Sequence, residues 1–139
     1  NTKYYYGDDK TALKEYAWYN GNSEENTHSV GKKKANAWGL FDMSGNVAEW
    51  VNDYYGEKYY KKSGKENPTG PTSGYRLTRG GSFKDDDINC RASYRIVDDD
   101  PEHTNCGVYD MVGFRCVRQI SGTVIKEDKG IDNKENTNK

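Results

Sequence analysis

The chain has little apolar material. Apolar residues make up 32% of its 139 positions, and no apolar run approaches the roughly 20 residues that a membrane-spanning helix requires. The segment starting at Asn1 has neither a charged n-region nor an apolar h-region, so the chain reads as a mature or truncated soluble piece. The compartment stays open. Charge excess is missing too: 21 basic against 22 acidic residues leave a formal net charge of -1, with no electrostatic drive toward nucleic acid or an anionic membrane. Cysteine is scarce. Cys90, Cys106 and Cys116 allow at most one intrachain disulfide, and their spacing fits neither a zinc ribbon nor a Cys-x-x-Cys redox pair. Which of the three pair, if any, is not fixed by the sequence, and inert structural thiols are the expected role.

Against these absences stand 12 Tyr, 3 Trp and 3 Phe, which point to an ordered core built on aromatic rings. The length suits one domain. Short segments punctuated by Gly, Asn, Asp and Pro dominate, which predicts a loop-rich α+β architecture with few helices and short strands. A helix is expected within residues 11–19, and strands over 76–79, 91–96 and 113–120, where β-branched, aromatic and other apolar residues gather. Residues 63–74, with Asn67-Pro68-Thr69-Gly70-Pro71, and residues 84–87 are expected as surface loops. From about residue 122 to 139 the chain is Lys, Glu, Asp, Asn and Gly with almost no apolar residue. The expected organisation is therefore a folded domain over 1–121 and a polar tail or linker over 122–139.

The stretch Asn36-Ala37-Trp38-Gly39-Leu40-Phe41-Asp42-Met43-Ser44-Gly45-Asn46-Val47-Ala48-Glu49-Trp50 interleaves apolar anchors with polar residues around a glycine, as a buried, tightly turned loop does. Asp42 and Glu49, seven positions apart, are hard oxygen donors. The glycine between them lets main-chain carbonyls join the carboxylates, the usual construction of a calcium site. The spacing is not that of an EF-hand, and two carboxylates capping turns is the competing structural reading.

Together with Thr78-Arg79-Gly80-Gly81-Ser82-Phe83 and then Gly113-Phe114-Arg115-Cys116-Val117, this stretch resembles the ordered signature of the formylglycine-generating-enzyme, or sulfatase-modifying-factor, family. The likeness runs from about Tyr5 to Arg118 and includes Tyr6-Gly7-Asp8 and Val30-Gly31. It implies a C-type-lectin-like fold, with the family's upstream Leu-Pro-Thr-Glu-x-Glu-Trp-Glu region missing from this chain. It also implies a calcium ion held at the positions of Asp42, Gly45, Val47 and Glu49, where Asp42 adds charge relative to the amide some members carry. The family's other calcium site has no clear match in residues 17–27 and is not carried over.

Catalysis in that family resembles copper-assisted oxidation of a substrate cysteine by a pair of cysteines, because soft thiolates select Cu(I). Counted without gaps from Gly80-Gly81-Ser82, the two positions fall on Asp85 and Cys90, so one ligand is absent. Cys90-Arg91-Ala92-Ser93-Tyr94-Arg95 is similar to the strand of members in which this cysteine is structural. Neighbouring Asp85, Asp86 and Asp87 would disfavour a thiolate there. Copper is therefore not expected.

Other candidates read as ordinary surface. His28 and His103 lie in polar stretches without a partner at ligand spacing and are expected as loop histidines. The runs Asp85-Asp86-Asp87 and Asp98-Asp99-Asp100 are expected as solvated loops, and Arg79-Gly80-Gly81 as a tight strand entry rather than an RNA-binding repeat. Tyr54-Tyr55 and Tyr59-Tyr60 are expected in a loop among lysines, whereas Trp38, Trp50 and Phe114 are expected to fill the core.

The functional expectation is a non-catalytic, calcium-stabilised domain that binds a protein or small-molecule ligand. Some relatives of this fold resemble the variable proteins of diversity-generating retroelements, which carry their changeable residues between Gly-Gly-Ser and Gly-Phe-Arg. By that resemblance the ligand face draws on Lys84, Asp85, Asp86, Asp87, Asn89, Asp99, His103, Asn105 and Tyr109. Two alternatives remain: residual formylglycine-generating oxidation of sulfatase cysteines, with a thiol such as Cys106 brought in by a shifted loop, and an accessory domain of a larger enzyme.

Overall fold

A computed structural model of the protein describes residues 2–66, 68–97 and 110–117. A 3-10 turn, Lys10–Ala12, runs into one short helix, α1 (Leu13–Tyr16). Asp9 caps the start by accepting from the backbone and hydroxyl of Thr11, at 2.8 and 2.7 Å. The helix stops three residues before the predicted end. Asn22 supplies a reason, since its side-chain amide donates to the Ala17 carbonyl at 3.0 Å and its oxygen accepts from the Tyr19 N–H at 3.0 Å. Residues 17–19 are thereby drawn into an extended path, and Trp18 makes a parallel bridge to Gly45.

Among the described residues four strands form one mixed sheet in the order β3-β2-β1-β4: β1 (Ala48–Tyr54), β2 (Arg76–Arg79), β3 (Ile96–Val97) and β4 (Val112–Gly113). β2 has the bounds that its sequence predicts. It pairs antiparallel with β1, placing Glu49 opposite Arg79, while β4 lies parallel to β1 with Gly113 opposite Glu49. The fold is α+β and loop-rich.

Several expectations need correction. The predicted strand over 91–96 contracts to Ile96 and Val97, because the backbone before it is spent on turns: Arg91 N–H donates to the Ile88 carbonyl and Tyr94 N–H to that of Arg91. The strand expected over 113–120 pairs only at Val112 and Gly113, and residues 118–120 lie outside the described part. Tyr54 is not in a loop but ends β1, and Tyr59–Lys61 is a 3-10 turn. The rings there are engaged: Arg76 stacks 4.1 Å from the Tyr54 centroid, and Arg95 lies between Tyr55 and Tyr60 at 4.9 and 4.7 Å.

The core is also displaced from its expected place. Tyr4, Leu13, Ala17 and Cys90 form the buried cluster, with Tyr6 and Tyr19 packed against it. Tyr6 stacks on Tyr4 and Tyr16 at 5.2 and 4.0 Å. Trp38 and Phe114, expected inside, are 85% and 77% exposed, while Trp50 is half-buried in β1. Asn36 accounts for Trp38. Its side-chain oxygen accepts from the N–H groups of Trp38 and Leu40, at 2.9 and 3.0 Å, closing a turn that carries the indole outward. Ser44, Gly45, Asn46 and Ala48 are the parts of that loop that are buried.

Candidate functional site

The loop from Phe41 to β1 is fixed by four hydrogen bonds to three distant segments, three of the bonds main-chain and one from a side chain. Gly45 N–H donates to the Gly80 carbonyl at 2.9 Å, Asn46 N–H to that of Trp18 at 2.7 Å, and Phe83 N–H to that of Asn46 at 2.8 Å. The Ser44 hydroxyl donates to the Cys90 carbonyl at 3.0 Å. Three positions in the loop have left-handed backbone, Asp42 (φ 55°), Gly45 (φ 72°) and Asn46 (φ 64°), the residue types that tolerate it best. Sequence reading singled out Asp42 and Gly45 and passed over Asn46. A Gly-Asn pair is the signal that could have found it, since both residues favour consecutive left-handed conformations.

Asp42, Gly45, Val47 and Glu49 line one cavity of about 580 Å³, open to solvent and walled also by Phe41 and Phe114. The fold therefore gathers all four positions expected to hold calcium. Each carboxylate has an internal partner as well. Asp42 Oδ2 accepts from the Gly31 N–H at 2.7 Å. Glu49 is gripped by Arg115 in a two-point pair, Nη2 to Oε1 at 2.7 Å and Nε to Oε2 at 3.0 Å, and the same Nη2 donates to the Phe41 carbonyl at 3.0 Å. The pairing with Glu49, its largest cause, raises the Arg115 pKa further above its ordinary value. The sheet explains the encounter, because Gly113 lies opposite Glu49 and Arg115 follows two positions later. Among the described residues no three His, Cys, Asp or Glu side chains form a cluster that could hold a metal ion. A cation in this cavity would thus draw on two carboxylates and main-chain oxygens, a hard donor set that suits calcium.

The expected ligand face separates into two parts. Asp85, Asp87 and Asn89 are half-buried and Asp86 is exposed, and each has a partner within the protein. Asp85 Oδ2 accepts from the Ser82 N–H and hydroxyl at 2.7 and 2.6 Å, and its Oδ1 accepts from the Asn89 amide at 3.0 Å. Asp86 accepts from the Asn20 amide at 2.7 Å, and Asp87 pairs with Lys10 at 3.0 Å. The Lys10 contact, its largest cause, holds the Asp87 carboxyl below its usual range. Lys84 reaches Asp110 at 2.7 Å. The acidic run is therefore a surface loop in which Asp85 caps a turn while Asp86 and Asp87 tie it to Asn20 and Lys10. Asp99, His103, Asn105 and Tyr109 lie outside the described residues, as do Cys106 and residues 122–139. His28 is not a free loop histidine either, since its ring stacks on Trp18 at 3.7 Å and Nε2 lies 2.9 Å from the Ser23 carbonyl.

Cys90 and Cys116 carry free thiols. Cys90 is fully buried, and burial first, then the charges of Asp85 and Asp87, push its thiol up to about 12. Cys116 is exposed. In the folded protein at pH 8, Cys90 is expected to resist iodoacetamide for hours while Cys116 is alkylated within minutes, and both should react in denaturant. Peptide-resolved mass spectrometry checks this, and rapid native labelling of Cys90 would contradict its burial.

The sequence model of the family "Sulfatase-modifying factor enzyme 1-like domain" matches residues 1–120. The serine/threonine-protein kinase pkn1 of Chlamydia pneumoniae is 39% identical over 100 residues, 68% of this chain and 15% of the kinase. The formylglycine-generating enzyme of Streptomyces coelicolor is 34% identical over 101 residues, 70% of this chain and 31% of that enzyme. Among solved structures, Treponema denticola variable protein 1 superposes with a TM-score of 0.70 at 36% identity, covering 82% of this chain and 40% of that one. The chain thus spans less than half the length of the relatives it matches. With the ordered motifs, the loop-rich α+β fold and these likenesses in agreement, the chain belongs to the sulfatase-modifying factor enzyme 1-like domain family.

Proposed function

We propose that this chain is a non-catalytic, calcium-stabilised recognition domain that binds a protein or small-molecule ligand. The observation that carries the calcium reading is the convergence of Asp42, Gly45, Val47 and Glu49 on one cavity from a loop fixed at four points. Asp42 and Glu49 would supply the charged oxygens, and a bound calcium would contribute rigidity to the loop rather than chemistry. The non-catalytic reading rests on Cys90. Its thiol is buried and held protonated, the wrong form for a Cu(I) thiolate, and Asp85 occupies the other position of the oxidising pair and caps Ser82. The match to a segment of a kinase supports a role as an accessory module within a longer enzyme.

Calcium is expected to raise the thermal midpoint by mass action, with about 2.7 kcal/mol of stabilisation at a hundred times its dissociation constant. The Glu49→Ala variant should lose that increment, compared with its own metal-free melt. A parent melting curve unchanged by millimolar calcium would remove the calcium reading. Incubation with copper and a cysteine-containing sulfatase peptide should give no aldehyde; its formation would restore the oxidase alternative.

A further inference from the structure

Arg115 already engages one of the two carboxylates that a cation in the cavity would use. Its guanidinium takes both oxygens of Glu49 and, through Nη2, the Phe41 carbonyl, so it links the strand side of the cavity to the residue preceding Asp42. Arg115 is exposed, with 36% side-chain exposure, and Glu49 is half-buried at 22%, so it is the two-point geometry rather than burial that sets this pair apart from an ordinary surface ion pair. We propose that Arg115 is a tethered competitor of the divalent ion: it pins the loop in the metal-free protein and releases at least one Glu49 oxygen when calcium binds. This rests on the calcium reading above.

The chemistry is an exchange of cations on one carboxylate. A guanidinium fork satisfies two oxygens without shedding a tight hydration shell, whereas calcium needs oxygens it can pull to within about 2.3–2.6 Å. The carboxylate keeps further lone pairs, but a guanidinium and a calcium ion crowded on it repel each other, which favours displacing one arm of the fork. Because Arg115 follows directly from β4, whose Gly113 lies opposite Glu49, its release loosens the attachment of residues 114–117 to the site. Binding in the cavity is therefore felt at residues 114–117, and by linkage anything that holds Arg115 away from Glu49 tightens calcium.

Isothermal titration of the 139-residue chain with calcium chloride tests the idea. Arg115→Met should bind calcium at least tenfold more tightly than the parent while melting lower without metal. Arg115→Lys, which keeps the charge but loses the fork, should fall between. Equal or weaker binding by Arg115→Met, with the parent binding normally, overturns the competition and leaves the calcium reading intact. Absence of binding by the parent and both variants removes both. Hydrogen exchange on the parent needs no variant to fold: calcium should slow exchange at 42–49 and speed it at 114–117, and slowing at both segments overturns the proposal.

Discussion

Gly45→Ala is expected to destabilise the protein by about 3 kcal/mol or more, which for a domain of this size lowers the thermal midpoint by roughly 10 °C or more. A β-carbon there would lie 2.2 Å from the Trp18 carbonyl oxygen, 2.8 Å from its carbon and 2.9 Å from the Trp18 nitrogen. These are backbone atoms, and no rotamer change moves them aside. The Trp18 carbonyl is further held by the Asn46 N–H at 2.7 Å, so retreat breaks a hydrogen bond that the loop relies on. Gly39→Ala is the control. It has nearly the same backbone angle, φ 76° against 72°, yet nothing lies within 4 Å of its added carbon. Only the conformational cost, about 1 kcal/mol, should appear there. Equal destabilisation of the two variants, measured by thermal melts monitored by circular dichroism, would refute the close packing of Trp18 on Gly45. The variant should also lose calcium response, since Gly45 lines the same cavity as Asp42 and Glu49.

What could be read from the sequence depended on whether a signal was local. The three motifs, the strand at Arg76–Arg79 and the convergence of Asp42, Gly45, Val47 and Glu49 on one place were legible, the last through resemblance rather than spacing. β1 was not. Its residues, Ala48 to Tyr54, include Glu49, Asn52 and Asp53, which are poor strand formers, and its burial does not alternate cleanly. It is a strand because β2 and β4 flank it on both sides, a tertiary cause. The burial of Trp38 and Phe114 was misjudged because hydrophobicity says that a ring prefers to be covered, not that covering residues are present. The Glu49 to Arg115 pair spans 66 positions and depends on the parallel register of β4, which no local pattern encodes. The acidic run was legible as a loop, but charge alone did not show that Asp85 caps it through Ser82 and Asn89.

Asn46→Ala should cost about 3 kcal/mol through a different route, the loss of a side chain that acts as a piece of backbone. The Asn46 amide accepts from the His28 N–H at 2.9 Å through Oδ1 and donates to the His28 carbonyl at 3.0 Å through Nδ2, the two bonds that a strand neighbour would make. Asn46 is 6% exposed, so water cannot easily replace them. Truncation leaves a donor and an acceptor of His28 without these partners and puts alanine at φ 64°, where asparagine is better tolerated. Asn46→Gly separates the two effects, because glycine accepts that angle freely while still losing both bonds; it should recover about 1 kcal/mol of the loss and no more. Asn46→Asp keeps the acceptor but turns an oxygen toward the His28 carbonyl, and should be no better than alanine. The consequence reaches the cavity. His28 is stacked on Trp18, whose carbonyl receives the Asn46 N–H, and three residues after His28 the Gly31 N–H donates to Asp42. Freeing His28 therefore loosens the segment that orients one carboxylate, and the calcium-induced rise in melting temperature should shrink in all three variants. A full calcium response in Asn46→Gly, together with a parent-like melt, would mean that this side chain neither holds the 28–31 segment nor shapes the site.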